Sequence, residues 1–287
     1  MANTNILDAE RESFHRFFEC WLDEQNQRLH DLTFAAKNNT TATTTAATNP
    51  ATTTAAINTS STSLGKLVER VVKHYEHYYE VKSRWAKQDV LGMLSPSWLS
   101  SLEDAFLWIG GWRPSMAFHL FLSKSGLQLE ARVSEFIRGF CSSSSKGNLA
   151  DLSSHQLTQM DQMQQRTVKE ERDISEKMDK QQEAVADSSM VNLSHVITEL
   201  MNAGSGDDPV AEEDPRVESA LASKEQGLEE ILHRADNLRL RTLKSITHIL
   251  TPIQAVHFLI AAAELHLRVH DWGKEKDATT HAHSSQP

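Results

Sequence analysis

Cysteine is almost absent: Cys20 and Cys141 are the only two in 287 residues. Two thiols build neither a disulfide framework nor a four-thiolate metal site, so the fold rests on packing. Proline (7) and glycine (11) are also few and fall mostly between periodic segments, which excludes a turn-rich β architecture. Positive charge is in deficit, with a formal net charge of −10 and a pI near 5.8. Nucleic-acid affinity needs Lys and Arg to neutralise phosphates, so no direct binding to nucleic acid is expected, and the basic run at 234–241 reads as a solvated helix face. Long apolar runs are missing too. The most apolar stretch, 249–267, is broken by Thr251, Pro252, Gln254, His257, Glu264 and His266, so no membrane span is expected. The opening MANTNILDAERESF carries neither the basic nor the apolar region of a signal peptide, which makes nucleus and/or cytoplasm the expected compartment. No Gly-rich phosphate loop, GxSxG elbow or HExxH signature occurs, so no enzyme is expected.

What the sequence does contain is helical periodicity. Phe14, Phe17, Phe18, Trp21, Leu22, Leu29 and Leu32 recur at steps of three and four, marking a helix over about 9–37. Residues 38–63 are nearly all Thr, Ala, Asn and Ser. With nothing large to bury, they are expected to form a disordered insert. A long amphipathic helix follows from Leu64 to Trp85. In SPSWLSSLEDAFLWIGGWRPS, Ser101 with Asp104 resembles a capping box. An apolar, buried helix is expected over 105–109, stopped by a left-handed Gly110-Gly111, with Pro114 in the first turn of the next helix. A further helix is expected over 128–140.

Ser153 with Gln156 is a capping-box pair. It opens a helix whose stripe is Leu157, Met160, Gln164, Thr167, Glu171, Ile174, Met178, Gln181 and Val185. Half of that stripe is polar, which suits a strut better than a coiled coil. An acidic linker is expected at 202–214, then a helix from Pro215 carrying Leu228, Ile231, Ala235, Leu238, Thr242 and Ile246. Thr251-Pro252-Ile253-Gln254 opens the last helix, with a stop at Gly273 and a loose tail over 274–287. The expected fold is all-α, a multi-helix bundle: an N-terminal tail at 1–8, one helical domain over 9–273, and the C-terminal tail.

Two groups of residues are candidates for a site. His266 and His270 lie one turn apart, so their side chains share a helix face. They read either as interfacial imidazoles or as metal or haem ligands. Two side chains leaving one intact helix in similar directions cannot clamp an iron from opposite faces. One would then be axial and the other supporting, unless the helix end unwinds. Phe14, Phe17, Phe18 and Trp21 read either as core or as exposed anchors for a protein partner, since aromatics dominate binding hot spots. His281 and His283 read as tail residues.

Four ordered blocks carry a family resemblance: FHRFFECWLDEQNQRLHDL (14–32), LVERVVKHYEHYYEVK (67–82), LEDAFLWIGGWRPS (102–115) and ADNLRLRTLKSITHILTPIQAVHFLIAAAELHLRVHDWG (235–273). Together they resemble the seed-dormancy, or Delay of Germination, domain of plants, which is also the C-terminal half of TGA-type bZIP transcription factors. The resemblance spans about 12–273 apart from the insert and the linker. No basic-region zipper precedes it here, which points to the stand-alone branch. The resemblance implies a non-enzymatic regulator of dormancy and abscisic-acid responses. Its implied partners are type 2C protein phosphatases, transcription factors or other signalling proteins, and a homo-oligomer is compatible with it. A co-regulator related to TGA factors but without their DNA-binding region is the alternative. The LHxxxHxWG pattern of haem-binding relatives is present as Leu265, His266, His270, Trp272 and Gly273, so the resemblance also implies a haem cofactor. The stretch from Arg16 to Trp21 departs from the acidic, polar sequence of the dormancy regulator and is closer to the TGA version.

Overall fold

A continuous stripe of Phe14, Phe18, Trp21, Gln25, Leu32 and Ala36, at helical spacing, is buried along α1 (Ala2–Ala46). Its counterpart on α2 (Thr53–Ala86) is Leu64, Leu67, Val71, His74, Val81 and Lys82. Apolar faces of this width must find partners. In the computed structural model, which describes residues 2–46, 53–137, 148–203 and 215–284, they meet each other and the last helices. Every regular element among the described residues is helical, so the fold is the expected all-α bundle. After α2 come the short α3 (Val90–Leu94) and α4 (Ser101–Asp104), then α5 (Met116–Ile137) and α6 (Ser154–Glu183). A 3-10 turn (Ala184–Ala186), α7 (Ser188–Ala203), α8 (Pro215–Ile249) and α9 (Pro252–Ser284) complete the order.

The core has two main parts, one at each end of the α1–α2 pair. One joins Leu32, Leu67, Val71, Phe118, Phe121, Met160, Ile246, Val256 and Phe258. The other joins Phe14, Phe18 and Trp21 to Val81, Met93, Trp98 and Leu232. A smaller cluster of Ile174, Ile231, Ala235 and Leu238 holds α6 to α8. The starts of α6 and α9 are locked together by their capping side chains. Ser153 and Gln156 form a complete capping box. Gln156 Nε2 also donates to Gln254 Oε1 at 2.8 Å, while Gln254 Oε1 accepts from Thr251 N at 3.0 Å. Glu171, a polar member of the α6 stripe, is buried because it is satisfied: it accepts from Ser115 N and from Arg113 Nε at 3.0 Å.

Several local expectations are corrected. The cap before LEDAF is Ser100 with Glu103 rather than Ser101 with Asp104. The helix it opens ends at Asp104, and Phe106 is 60% exposed, so no buried helix covers 105–109. Left-handed residues do stand at the stop, as Ile109 (φ 48°) and Gly110 (φ 66°). α1 begins at Ala2 and reaches Ala46, and α2 begins at Thr53. Both helices thus run into the Thr/Ala insert from its two sides, and residues 47–52 at its centre lie outside the described residues. α5 starts at Met116, well before the expected 128. α9 runs through Gly273 to Ser284, so the expected tail is helical as far as it is described. Most of the acidic linker, 204–214, lies outside the described residues. Within α8, Arg239 is not solvated surface: it is 6% exposed.

Gly110 and Gly126 give opposite expectations for one substitution. A Cβ at Gly110 would meet Met93 O at 2.6 Å at positive φ, so Gly110→Ala should cost at least about 2 kcal/mol. A Cβ at Gly126 meets nothing within 4 Å on helix α5, so Gly126→Ala should gain roughly 0.5–1 kcal/mol. Urea unfolding of both variants checks the pair.

Candidate functional site

The residues between the two cores are aromatic on one side and charged on the other. They enclose a cavity of about 210 Å³. Trp21 and Phe18 reach it from α1, Tyr75, Tyr78 and Lys82 from α2, and Trp98, Leu107 and Trp112 from the segment around α4. Asp236, Arg239 and Thr242 of α8 and Leu265 and His266 of α9 close it.

The charged side is a buried network. Lys82 Nζ donates to Gly110 O at 2.6 Å and to Asp236 Oδ1 at 3.1 Å. Burial pushes the Lys82 ammonium down to about 8, against the pull of Asp236. Arg239 donates from Nε to Trp112 O at 2.7 Å, from Nη2 to Ile109 O at 2.9 Å and to Trp108 O, and from Nη1 to Asp236. The carbonyls of 108–110 and 112 thus all turn inward to two cations. The glycines make this possible: a Cβ at Gly111 would sit 2.9 Å from Arg239 Cζ. Lys82, Asp236 and Arg239 were not legible as a site, since each sits in an ordinary amphipathic pattern. The run of inward carbonyls has no sequence signal beyond Gly110-Gly111.

The histidine pair is divided between two roles. His270 Nδ1 lies 3.0 and 3.1 Å from the Glu103 carboxylate oxygens. Glu103 Oε2 also accepts from Ser100 N at 2.9 Å and Ser100 Oγ at 2.7 Å. Burial opposes the Glu103 charge, but the hydrogen bonds from His270 and Ser100 outweigh it and hold the carboxyl below its ordinary range. His266 faces the cavity, with its ring 5.5 Å from Trp21 and 6.4 Å from Trp112. Burial lowers its pKa to about 4, so it is a neutral imidazole near neutral pH. Gly273 is a contact point rather than a stop: a Cβ there would fall 2.0 Å from Ser100 Oγ. One turn on, Asp277 Oδ2 accepts from Ser101 N at 2.9 Å.

The aromatic group on α1 is core, which corrects its reading as a partner-binding surface. Phe14, Phe18 and Trp21 are 0%, 3% and 4% exposed. Trp21 stacks on His74 at 4.7 Å and donates from Nε1 to His74 O at 3.3 Å. Phe14 packs on Trp98 at 4.7 Å. Phe17 alone is partly exposed. Each large ring found a matching ring on α2 or near α4, and burial there outweighs exposure.

Residues 45–123 match the family model described as seed dormancy control. The chain is 31% identical to DOG1-like 3 of Arabidopsis thaliana over 75% of this chain and 73% of that protein. It is likewise 31% identical to DOG1-like 4 of the same plant, over 94% and 96%. The chain belongs to the seed-dormancy (DOG1) family. The transcription factor TGA7 of Arabidopsis thaliana is 27% identical over 91% of this chain, which spans about half of that factor (54%). For this member of the DOG1 family, the blocks that carried the resemblance meet in space. LEDAFLWIGGW and LHLRVHDWG form one wall through Glu103, His270 and Gly273. No helix among the described residues is long and apolar enough to cross a membrane.

Of the two histidines, His270 is the one that would hold a haem. A ligating histidine almost always gives its other ring nitrogen to a carboxylate or carbonyl, and His270 has that support in Glu103. His266 stands between Trp21 and Trp112 one turn away, on the same intact helix. Among the described residues, no group of three or more His, Cys, Asp or Glu is placed to hold a metal ion.

These shifts set an acid limit on the fold. His266 and His74 are both lowered by burial to about 4 from an ordinary 6.5. The unfolded chain therefore takes up protons first as pH falls. Their contribution is complete above about 6.5 and is lost as pH drops through about 4. Glu103 acts in the same sense further down, from its ordinary 4.5 through its lowered value. From about pH 7 to about pH 5, each of the two histidines should cost up to roughly 2 kcal/mol. Urea unfolding across that range should show the loss, and His266→Phe should remove part of the slope.

Proposed function

We propose that this chain is a non-enzymatic regulator that acts in seed dormancy and abscisic-acid responses by binding other proteins, in the nucleus and/or cytoplasm. The observation that carries the reading is near end-to-end similarity to DOG1-like 4, covering 94% of this chain. The buried titratable groups add support because they are committed to structure. Glu103 serves Ser100 and His270, Asp236 serves Lys82 and Arg239, and Glu171 serves Arg113 and Ser115. Type 2C protein phosphatases are the first partners to test. Since Phe14, Phe18 and Trp21 are buried, the partner meets other apolar residues, of which Phe34 (67% exposed), Phe106 (60% exposed) and Trp272 (55% exposed) are aromatic, the last two lying within the LEDAFLWIGGW and LHLRVHDWG blocks. The double variant Phe106→Ala/Trp272→Ala should lower phosphatase capture about tenfold or more with unchanged melting, as expected of hot-spot aromatics. Phe14→Ala should instead cost about 3–5 kcal/mol of stability. Undiminished capture by the exposed pair would remove this surface from the proposal.

The similarity to TGA7 supports a second reading, a co-regulator that joins DNA-bound complexes through a transcription factor. With a net charge of −10, the purified chain should not shift duplex DNA alone at physiological salt. Chromatin association that vanishes with a bZIP partner would favour this reading, whereas phosphatase capture without such a partner favours the first.

A haem-linked form of the regulator is supported by one observation, the carboxylate behind His270. When bound, the haem would supply a redox- or gas-sensitive iron. His270 would hold it, with Glu103 fixing the ring, while His266 keeps its place among Trp21 and Trp112. Titration with haemin should give a saturable Soret shift that His270→Ala weakens far more than His266→Ala. Equal binding by His270→Ala and the parent chain would overturn it. His270→Ala also takes from Glu103 its partner on α9 and leaves it only Ser100, so the melting temperature should fall as well.

A further inference from the structure

Two buried polar groups beside the cavity have hydrogen-bonding capacity to spare. Lys82 and Arg239 are both buried and share one carboxylate, Asp236. Two of the three Lys82 ammonium donors are directed at Gly110 O and Asp236, leaving capacity for one more acceptor. Thr242 is 3% exposed and lines the same cavity. Its Oγ1 is buried with no hydrogen-bond partner, a state that native structures seldom leave unexplained.

Trp21, Trp98, Trp112 and Phe258 give the cavity flat apolar walls, with Tyr75, Glu103 and His266 among its polar lining. The volume of about 210 Å³ sets the scale. A dry cavity of about 150 Å³ lined by Leu, Ile and Phe takes benzene, so this one takes a fused pair of rings and little more. Leu265, 41% exposed, and the Arg113 side chain, 48% exposed, also line it and mark where it meets solvent.

From the unused Lys82 donor, the orphan hydroxyl and the aromatic walls, we infer that this cavity is a binding site for a compact aromatic carboxylic acid of about two fused rings. The carboxylate accepts from Lys82 Nζ and Thr242 Oγ1, and the rings lie among the tryptophans. The inference is independent of which proteins the chain regulates.

Isothermal titration of the full chain with 1-naphthoate, neutral 1-naphthamide and laurate tests it. The acid should bind at one site per chain, at least about tenfold more tightly than the amide. A single net hydrogen bond is worth about 1 kcal/mol, or roughly fivefold, so Thr242→Val should weaken naphthoate by about that factor. Ala262→Phe, which fills the cavity, should abolish binding of both ring compounds while helical circular dichroism persists. Equal affinity for acid and amide overturns the carboxylate assignment, as does a Thr242→Val variant that binds like the parent. Tighter binding of laurate than naphthoate overturns the compact-ring assignment in favour of an extended chain, and no binding by the folded parent overturns the site altogether.

Discussion

The fold depends on two buried cations holding a turn that has no regular structure of its own. Residues 108–112 would otherwise bury a row of carbonyls without partners. Lys82 from α2 and Arg239 from α8 accept that role, and Asp236 keeps them in place. Removing one member of such a buried network costs about 3–5 kcal/mol, because the others are left charged and unpaired. The same bonds tie α2, α8 and the turn into one unit, which the apolar contacts alone would not orient. Arg239 also lies 5.4 Å from the Trp108 ring, and Trp108 Nε1 donates to Ser175 Oγ at 2.9 Å. The network therefore reaches α6 as well.

Glu103 is the second joint. As the N3 residue of a capping box it holds the start of α4, and through His270 it holds α4 to α9. The close approach at Gly273 and the bond from Ser101 N to Asp277 lie on the same seam. The His270 and Gly273 positions of LHxxxHxWG thus have structural roles, while Trp272 points largely to solvent. A haem at His270 would use an imidazole already oriented for structural reasons.

The fold class and most helices were legible because long stripes at three-four spacing leave few alternatives. Capping at Ser153 and the Thr251-Pro252 opening were legible for the same local reason: the bonds involved lie within four residues. Failures came where the deciding partner is distant in sequence. Gly273 looks like a helix stop until Ser100 is seen against it, and Arg239 looks like solvated surface until the 108–112 carbonyls are placed beside it. The α1 aromatics were ambiguous because burial depends on α2 and Trp98, not on α1. Helix 105–109 failed because its periodicity was right in composition but the carbonyls were claimed by side chains more than a hundred residues away. The cavity left no pattern at all, since its walls come from separate elements.

The spare capacity of Lys82 links the cavity to the surface. Its bond to Gly110 O is one of those fixing the turn, and that turn follows directly on exposed Phe106. An anion on the remaining Lys82 donor would share the ammonium that holds Gly110. The 108–112 turn thus lies between the cavity on one side and an exposed aromatic on the other, joined through contacts already present. A side chain used only for packing would not make that connection, whereas one ammonium with three donors reaches both.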